Sequence, residues 1–167
     1  KEFAKALDDI FEATRKRIIR RSLRLALQPV LWAAKLNAPT LQVAAGRKQL
    51  DKRRKPGTLR DALRIASTRY EGAYGASAKV GVRPLTRAKM VAFYAATRRK
   101  GADNPDDPFY AHMVERGTSK MDAKPFVRPA LEQEASSALE IFRHETGQGI
   151  EAEARKRARL AHRQSGG

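Results

Sequence analysis

The chain has no cysteine. That excludes a disulfide framework and a thiolate metal site. Long apolar runs are missing too. The longest, Leu25 to Leu36, is broken by Gln28, Pro29 and Lys35, and it falls short of the ~20 apolar residues a membrane span needs. The start is polar and amphipathic and carries no signal-peptide pattern. Aromatic residues are few, 7% of the chain, which leaves little scope for the basic–aromatic interleaving of a base-stacking surface. Negative charge is scarce as well: 18 Asp and Glu stand against 35 Lys and Arg, a formal net charge of +17. Such a surplus predicts affinity for nucleic acid, anionic protein surfaces, or both, without choosing between them.

The 167 residues are one domain's worth of chain, enough for one real core. Residues 2–36 read as a long amphipathic helix, with Phe3, Leu7, Ile10, Ile18, Leu23, Leu27, Val30 and Ala34 at helical spacing. Pro29 should kink or break it near residues 25–28. Its outer face carries Arg15, Lys16, Arg17, Arg20, Arg21 and Arg24. Residues 46–56, with Arg47, Lys48, Lys52, Arg53, Arg54 and Lys55, read as a basic loop or arm. Leu59 to Leu63 is a short helical or turn segment. Ile65 to Tyr70 and Ala78 to Val82 read as two strands joined by a glycine-containing hairpin loop. Thr86 is placed to cap a helix running to about Lys100, with Met90, Val91, Phe93, Tyr94 and Thr97 inward. A further helix is expected over 129–145, punctuated by Gly147 and Gly149. Residues 150–163 follow as a charged helical tail, and the last three residues should fray.

The densest signal lies in residues 109–132, FYAHMVERGTSKMDAKPFVRPALE. Gly117 suits a position needing φ > 0, and Thr118 can hydrogen-bond locally in a turn. Pro125 forces Lys124 extended and presents Phe126 on a stiff backbone. Pro129 fits the first turn of a helix, where a missing N–H costs little. Ala130, Leu131, Ala135, Leu139 and Phe142 then follow at roughly helical spacing. The residues alone describe a loop that plugs Phe126 into the core and feeds a helix. Glu115, beside an apolar run, should be paired if buried, with Arg60 and Arg128 as candidate partners.

This stretch resembles the signature of tailed-phage tail-completion or head–tail joining (neck) proteins, the relatives of the phage lambda minor tail protein Z. The resembling residues are Tyr110, the run Val114-Glu115-Arg116-Gly117-Thr118, and Ala123-Lys124-Pro125-Phe126-Val127-Arg128-Pro129-Ala130-Leu131. A second block is similar in the same order: Ala38-Pro39, Gly57-Thr58-Leu59-Arg60, and Val80-Gly81. The chain departs from the pattern by the intervening residues 40–56, a helical insertion at 85–108, and Arg116 where the family has an aromatic.

The elements sum to an α+β fold, a small antiparallel sheet flanked by a long N-terminal helix and a C-terminal helix, helix-rich overall, with one domain over residues 1–146 and a charged tail over 147–167. No catalytic residue, metal or cofactor is expected from the residues, and the resemblance adds none. The resemblance implies a virion protein assembled in the host cytoplasm. Its partners would be its own copies, in a ring, and tail terminator, tail-tube or head-closure (connector) proteins. Pro39, Gly57, Leu59, Arg60, Gly81, Tyr110, Glu115, Gly117, Thr118, Pro125, Phe126 and Pro129 would shape the subunit.

Two other readings remain beside it. The basic helix and arm, Arg17, Arg20, Arg21, Arg24, Arg47, Lys48, Lys52, Arg53, Arg54 and Lys55, with Arg155 to Arg163, could bind DNA independently of sequence. Asp106, Asp122 and Lys124 literally fit a metal-dependent nuclease pattern, Pro-Asp followed by Asp-x-Lys. Such a lysine belongs on a strand, and here Pro125 follows it. The three histidines, His112, His144 and His162, are scattered, and no nucleophile-elbow motif is present.

Overall fold

The computed structural model describes residues 2–40, 56–66, 69–71, 75–99 and 103–165. It is a helix-rich α+β chain with long N- and C-terminal helices and short antiparallel ladders, the class expected from the sequence. The basic segment 46–56 lies outside the described residues except for Pro56, which is in a turn.

Helix α1 (Glu2–Ala26) ends where the proline requires, and α2 (Gln28–Asn37) begins at once. Pro29 has no N–H to donate, so the ladder cannot run through it. The last bond before the break is Leu27 N–H to Leu23 O at 3.1 Å. Gly57, at φ 85°, turns the chain into the short helix α3 (Thr58–Ala62).

The expected two-strand hairpin is instead two pairs of three-residue strands. Strand β1 (Leu63–Ile65) pairs with β4 (Val80–Val82), placing Leu63 opposite Val82. Strand β2 (Arg69–Glu71) pairs with β3 (Gly75–Ser77), placing Arg69 opposite Ser77. Partner numbers sum differently in the two ladders, so their registers are offset by one residue and one continuous ladder cannot hold both. Helix α4 (Arg87–Thr97) is capped by Thr86, whose hydroxyl accepts from Lys89 N–H at 3.4 Å. It ends at Arg98, a left-handed residue at φ 57°. Helices α5 (Ala111–Arg116) and α6 (Val127–Ser165) complete the chain.

The chain divides into two compact units. One, here the core unit, comprises Pro29–Ala66 and Val80–Glu134; the other, the basic unit, comprises Lys1–Gln28, Ser67–Lys79 and Ala135–Gly167. The core unit centres on Phe126, 1% exposed, packed with Ala34, Ala38, Leu59, Leu63 and Ala130. Val80, Val82, Tyr110 and Val114 close around this cluster. Burying a phenylalanine stabilises by about 1.5–3 kcal/mol.

Helix α6 corrects two expectations. It runs unbroken through Gly147 and Gly149, so residue 146 coincides with no break in it. Its covered stripe is Ala130, Glu134, Ala138, Ile141, Glu145, Gly149 and Glu153, whereas Leu131 and Leu139 are exposed. Apart from Ile141 the stripe is made of small and charged residues, so apolar spacing located Ala130 and the half-buried Phe142 but misplaced Leu131 and Leu139. Gly149 is not a breaker but a point of close approach. A Cβ there would stand 2.7 Å from Ile18 Cγ2 and 3.3 Å from Cγ1, whereas one at Gly147 meets nothing within 4 Å. Ile18 is β-branched and stiff in a helix, so it cannot easily yield.

Opposite effects are therefore expected at two glycines of one helix. Gly147→Ala should stabilise by about 0.5–1 kcal/mol through helix propensity. Gly149→Ala should destabilise by roughly 1–3 kcal/mol through overpacking on Ile18. Urea denaturation of the two variants checks this, and equal effects would remove the close-approach role.

Candidate assembly surface

The shaping motif is built from α5 outward. Gly117 ends that helix by donating its N–H to Met113 O at 2.8 Å, at φ 77°. A Cβ on Gly117 would meet Ala123 N at 2.9 Å and Met121 O at 3.0 Å, both backbone. Thr118 follows as expected, its hydroxyl accepting from Lys120 N–H at 3.3 Å. Its backbone pairs with Met121, and Lys124 N–H returns to Val114 O at 2.8 Å. The connection is thereby tied to α5 along its length.

Glu115 does not pair with Arg60 or with the Arg128 side chain. Its carboxylate accepts three backbone N–H groups: Phe126 at 2.8 Å, Val127 at 3.1 Å and Arg128 at 3.1 Å. These are orphan donors at the start of α6. A carboxylate there also complements the positive end of the helix dipole. Arg60 instead lies 3.4 Å from Asp61 and is exposed.

The other motif residues divide by burial. Leu59 and Gly57 are buried, and Tyr110 and Pro129 half-buried. Tyr110 meets Phe109 edge-on, with ring centroids 5.9 Å apart. Pro39 follows α2 half-buried, Gly81 sits in β4 with open space where a Cβ would be, and Pro125 is exposed. Asp106, Asp122 and Lys124 are exposed. No group of three or more His, Cys, Asp or Glu suited to a metal occurs among the described residues. No described helix is long and apolar enough to cross a membrane.

Sequence reasoning missed the surface opposite the core. Helix α2 buries Val30 and Ala34 but leaves Trp32 68% and Leu36 72% exposed. Those two are one helical turn apart and adjacent on the surface. Helix α4 buries nothing, correcting the inward face assigned to it. Phe93 is half-buried, while Met90, Val91 and Tyr94 are exposed, Val91 at 58%. A helix apolar on both sides is usually covered on both, and this signal was readable in residues 25–36. Of the basic candidates, Arg17, Arg20, Arg21 and Arg24 are exposed on α1. Arg47, Lys48, Lys52, Arg53, Arg54 and Lys55 lie outside the described residues.

No family model matches the chain, and no curated protein or solved structure matches it.

The capping role of Glu115 carries a definite cost. Glu115→Ala should lower stability by about 2–4 kcal/mol, because it strands charge-assisted donors, and Glu115→Gln by roughly 1–2 kcal/mol, because one amide oxygen remains. Arg60→Ala should stay within about 0.5 kcal/mol. Chemical denaturation separates these outcomes, and an unchanged Glu115→Ala variant would remove the cap from the account.

Proposed function

We propose that this chain is a non-enzymatic structural subunit of a tailed-phage virion or phage-like particle. It acts at the head–tail junction or the head-proximal end of the tail, by assembling into a ring and docking neighbouring tail and connector proteins. Its chemistry is surface complementarity. The ordered resemblance over residues 32–132 suggests the role. The observation that carries it is the uncovered apolar surface of the core unit, with Trp32 and Leu36 on α2 and Met90, Val91 and Tyr94 on α4. Exposed apolar groups gathered on helices mark protein–protein contact more often than chance exposure. Trp and Tyr are also the side chains that dominate interface energetics.

Exposed apolar residues on two helices of one subunit suit a heterologous, head-to-tail contact, the kind that closes into rings. The short strands add to this: two-stranded ladders have an edge on each strand, with backbone groups that a neighbour can pair.

The test is the mass of the purified protein by light scattering, alone and with tail-tube or connector proteins of the same genome, across salt concentrations. A discrete ring, alone or induced, is expected. Trp32→Ser combined with Leu36→Ser should abolish it while leaving the melting temperature within a few degrees, since both residues lie outside the core. A monomer that ignores tail and connector proteins would overturn the proposal.

A further inference from the structure

Basic residues of α1 and of the end of α6 lie far apart in sequence, yet Arg17, Arg21 and Lys156 line one groove of the basic unit. Gly149 seats Ile18 against α6. Arg17 Nη2 reaches Glu153 Oε2 at 3.4 Å. Between the helices runs a groove of about 480 Å³, with Arg17 and Arg21 on one wall and Lys156, Glu145 and Glu153 on the other.

The charge balance of this surface is uneven. Glu153 is held by Arg17 and by Arg157 at 3.6 Å, and Glu151 by Arg155 at 3.3 Å. Glu12 pairs with Lys16, whose hydrogen bond and charge hold that carboxyl below its usual range. Of the groove's two carboxylates, Glu153 is held by arginines and Glu145 lies 3.9 Å from His144 Nδ1. Arg21, Arg24, Lys156 and Arg159 are exposed and make no ion pair with a described residue.

We propose that this α1–α6 face binds the phosphate backbone of duplex nucleic acid without reading base sequence. Arg17, Arg21 and Arg24 share one stripe of α1, and Arg155 and Arg159 stand one turn apart on α6. Each helical turn advances about 5.4 Å, while each duplex strand offers a phosphate per roughly 3.4 Å of axis. Successive cations therefore meet fresh phosphates. Among the described residues the groove lining contains no aromatic side chain, so it offers no stacking platform of the kind single strands use. Ile18 is the one large apolar side chain among those described residues, which leaves little of the apolar anchoring that protein partners rely on. The inference is independent of the assembly role, since a ring and a monomer would both carry this face.

The test uses the full chain and a fluorescent 30-base-pair duplex of arbitrary sequence, with binding followed by anisotropy across salt. The first variant combines Arg21→Gln, Arg24→Gln, Lys156→Gln and Arg159→Gln. The second, of similar charge change, combines Arg64→Gln, Arg83→Gln and Lys89→Gln in the core unit. Circular dichroism confirms that both keep their helices. At roughly 0.9 per phosphate contact, the first variant should lower the slope of log K against log salt by about 3–4, and it should weaken binding more than tenfold near 0.1 M salt. The second should hold the slope within about one. An unchanged slope in the first variant, or equal losses in both, would overturn the proposal. So would competition by polyglutamate as effective, charge for charge, as unlabelled duplex, or binding to anionic lipid vesicles but not to DNA.

Discussion

The grip of the Glu115 carboxylate on the start of α6 is the interaction on which the core unit depends. A helix beginning in a core cannot leave its first N–H groups unpaired. Here three of them, from Phe126 to Arg128, are taken by one carboxylate. The next candidate, Pro129, has no N–H to satisfy. The same contact fixes the side chain around which the core is packed, because Phe126 is both the first donor and the most deeply buried large residue. The spacing from Glu115 to Phe126 is held by the turn at Gly117, where backbone crowds the site of a missing Cβ. Cap, turn and core plug form one device, and each constrains the other two.

That device explains how much of the motif could be read from residue types. Gly117 needed φ > 0, Thr118 needed a local partner, Pro125 and Phe126 needed a stiff presentation, and each did so for reasons carried within a few residues. The break at Pro29 and the cap at Thr86 were legible on the same terms. Glu115 was legible as a paired group but not as a cap. Its alternatives, arginine side chains and main-chain donors, are separated only by tertiary placement. Arg60 and Arg128 stay in solvent, where an ion pair contributes little.

Elsewhere the missing information was also tertiary. The glycines of α6 have equal local propensities, yet one faces open space and the other faces Ile18. The covered stripe of that helix runs largely through Ala, Gly and Glu, with Ile141 among them, so a rule that seeks large apolar side chains also selects the exposed Leu131 and Leu139. Small residues let a second helix approach closely, and packing then comes from the partner's side chains. The exposed apolar residues of α2 and α4 were missed for the converse reason. Trp32, Leu36 and the α4 residues have the composition of a core, and sequence periodicity cannot say whether the partner belongs to the same chain.

The two proposals place opposing forces on one molecule. Apolar contacts would draw subunits together, while a net charge of +17 drives them apart. Near-surface repulsion extends over about 10 Å at 0.1 M salt and roughly three times that at 0.01 M. A ring of such subunits is therefore least stable at low ionic strength without a counter-charge. A polyanion on the α1–α6 face would supply that charge where Arg21, Arg24, Lys156 and Arg159 lack partners within the described residues. Duplex binding and ring assembly then become linked. Each phosphate neutralised lowers the repulsion that the apolar contacts must overcome, and by reciprocity the ring binds the duplex more tightly than a lone subunit. Subunits tuned this way remain dispersed until an anionic partner is present. In the proposed head–tail role, that restraint would follow from the charge alone.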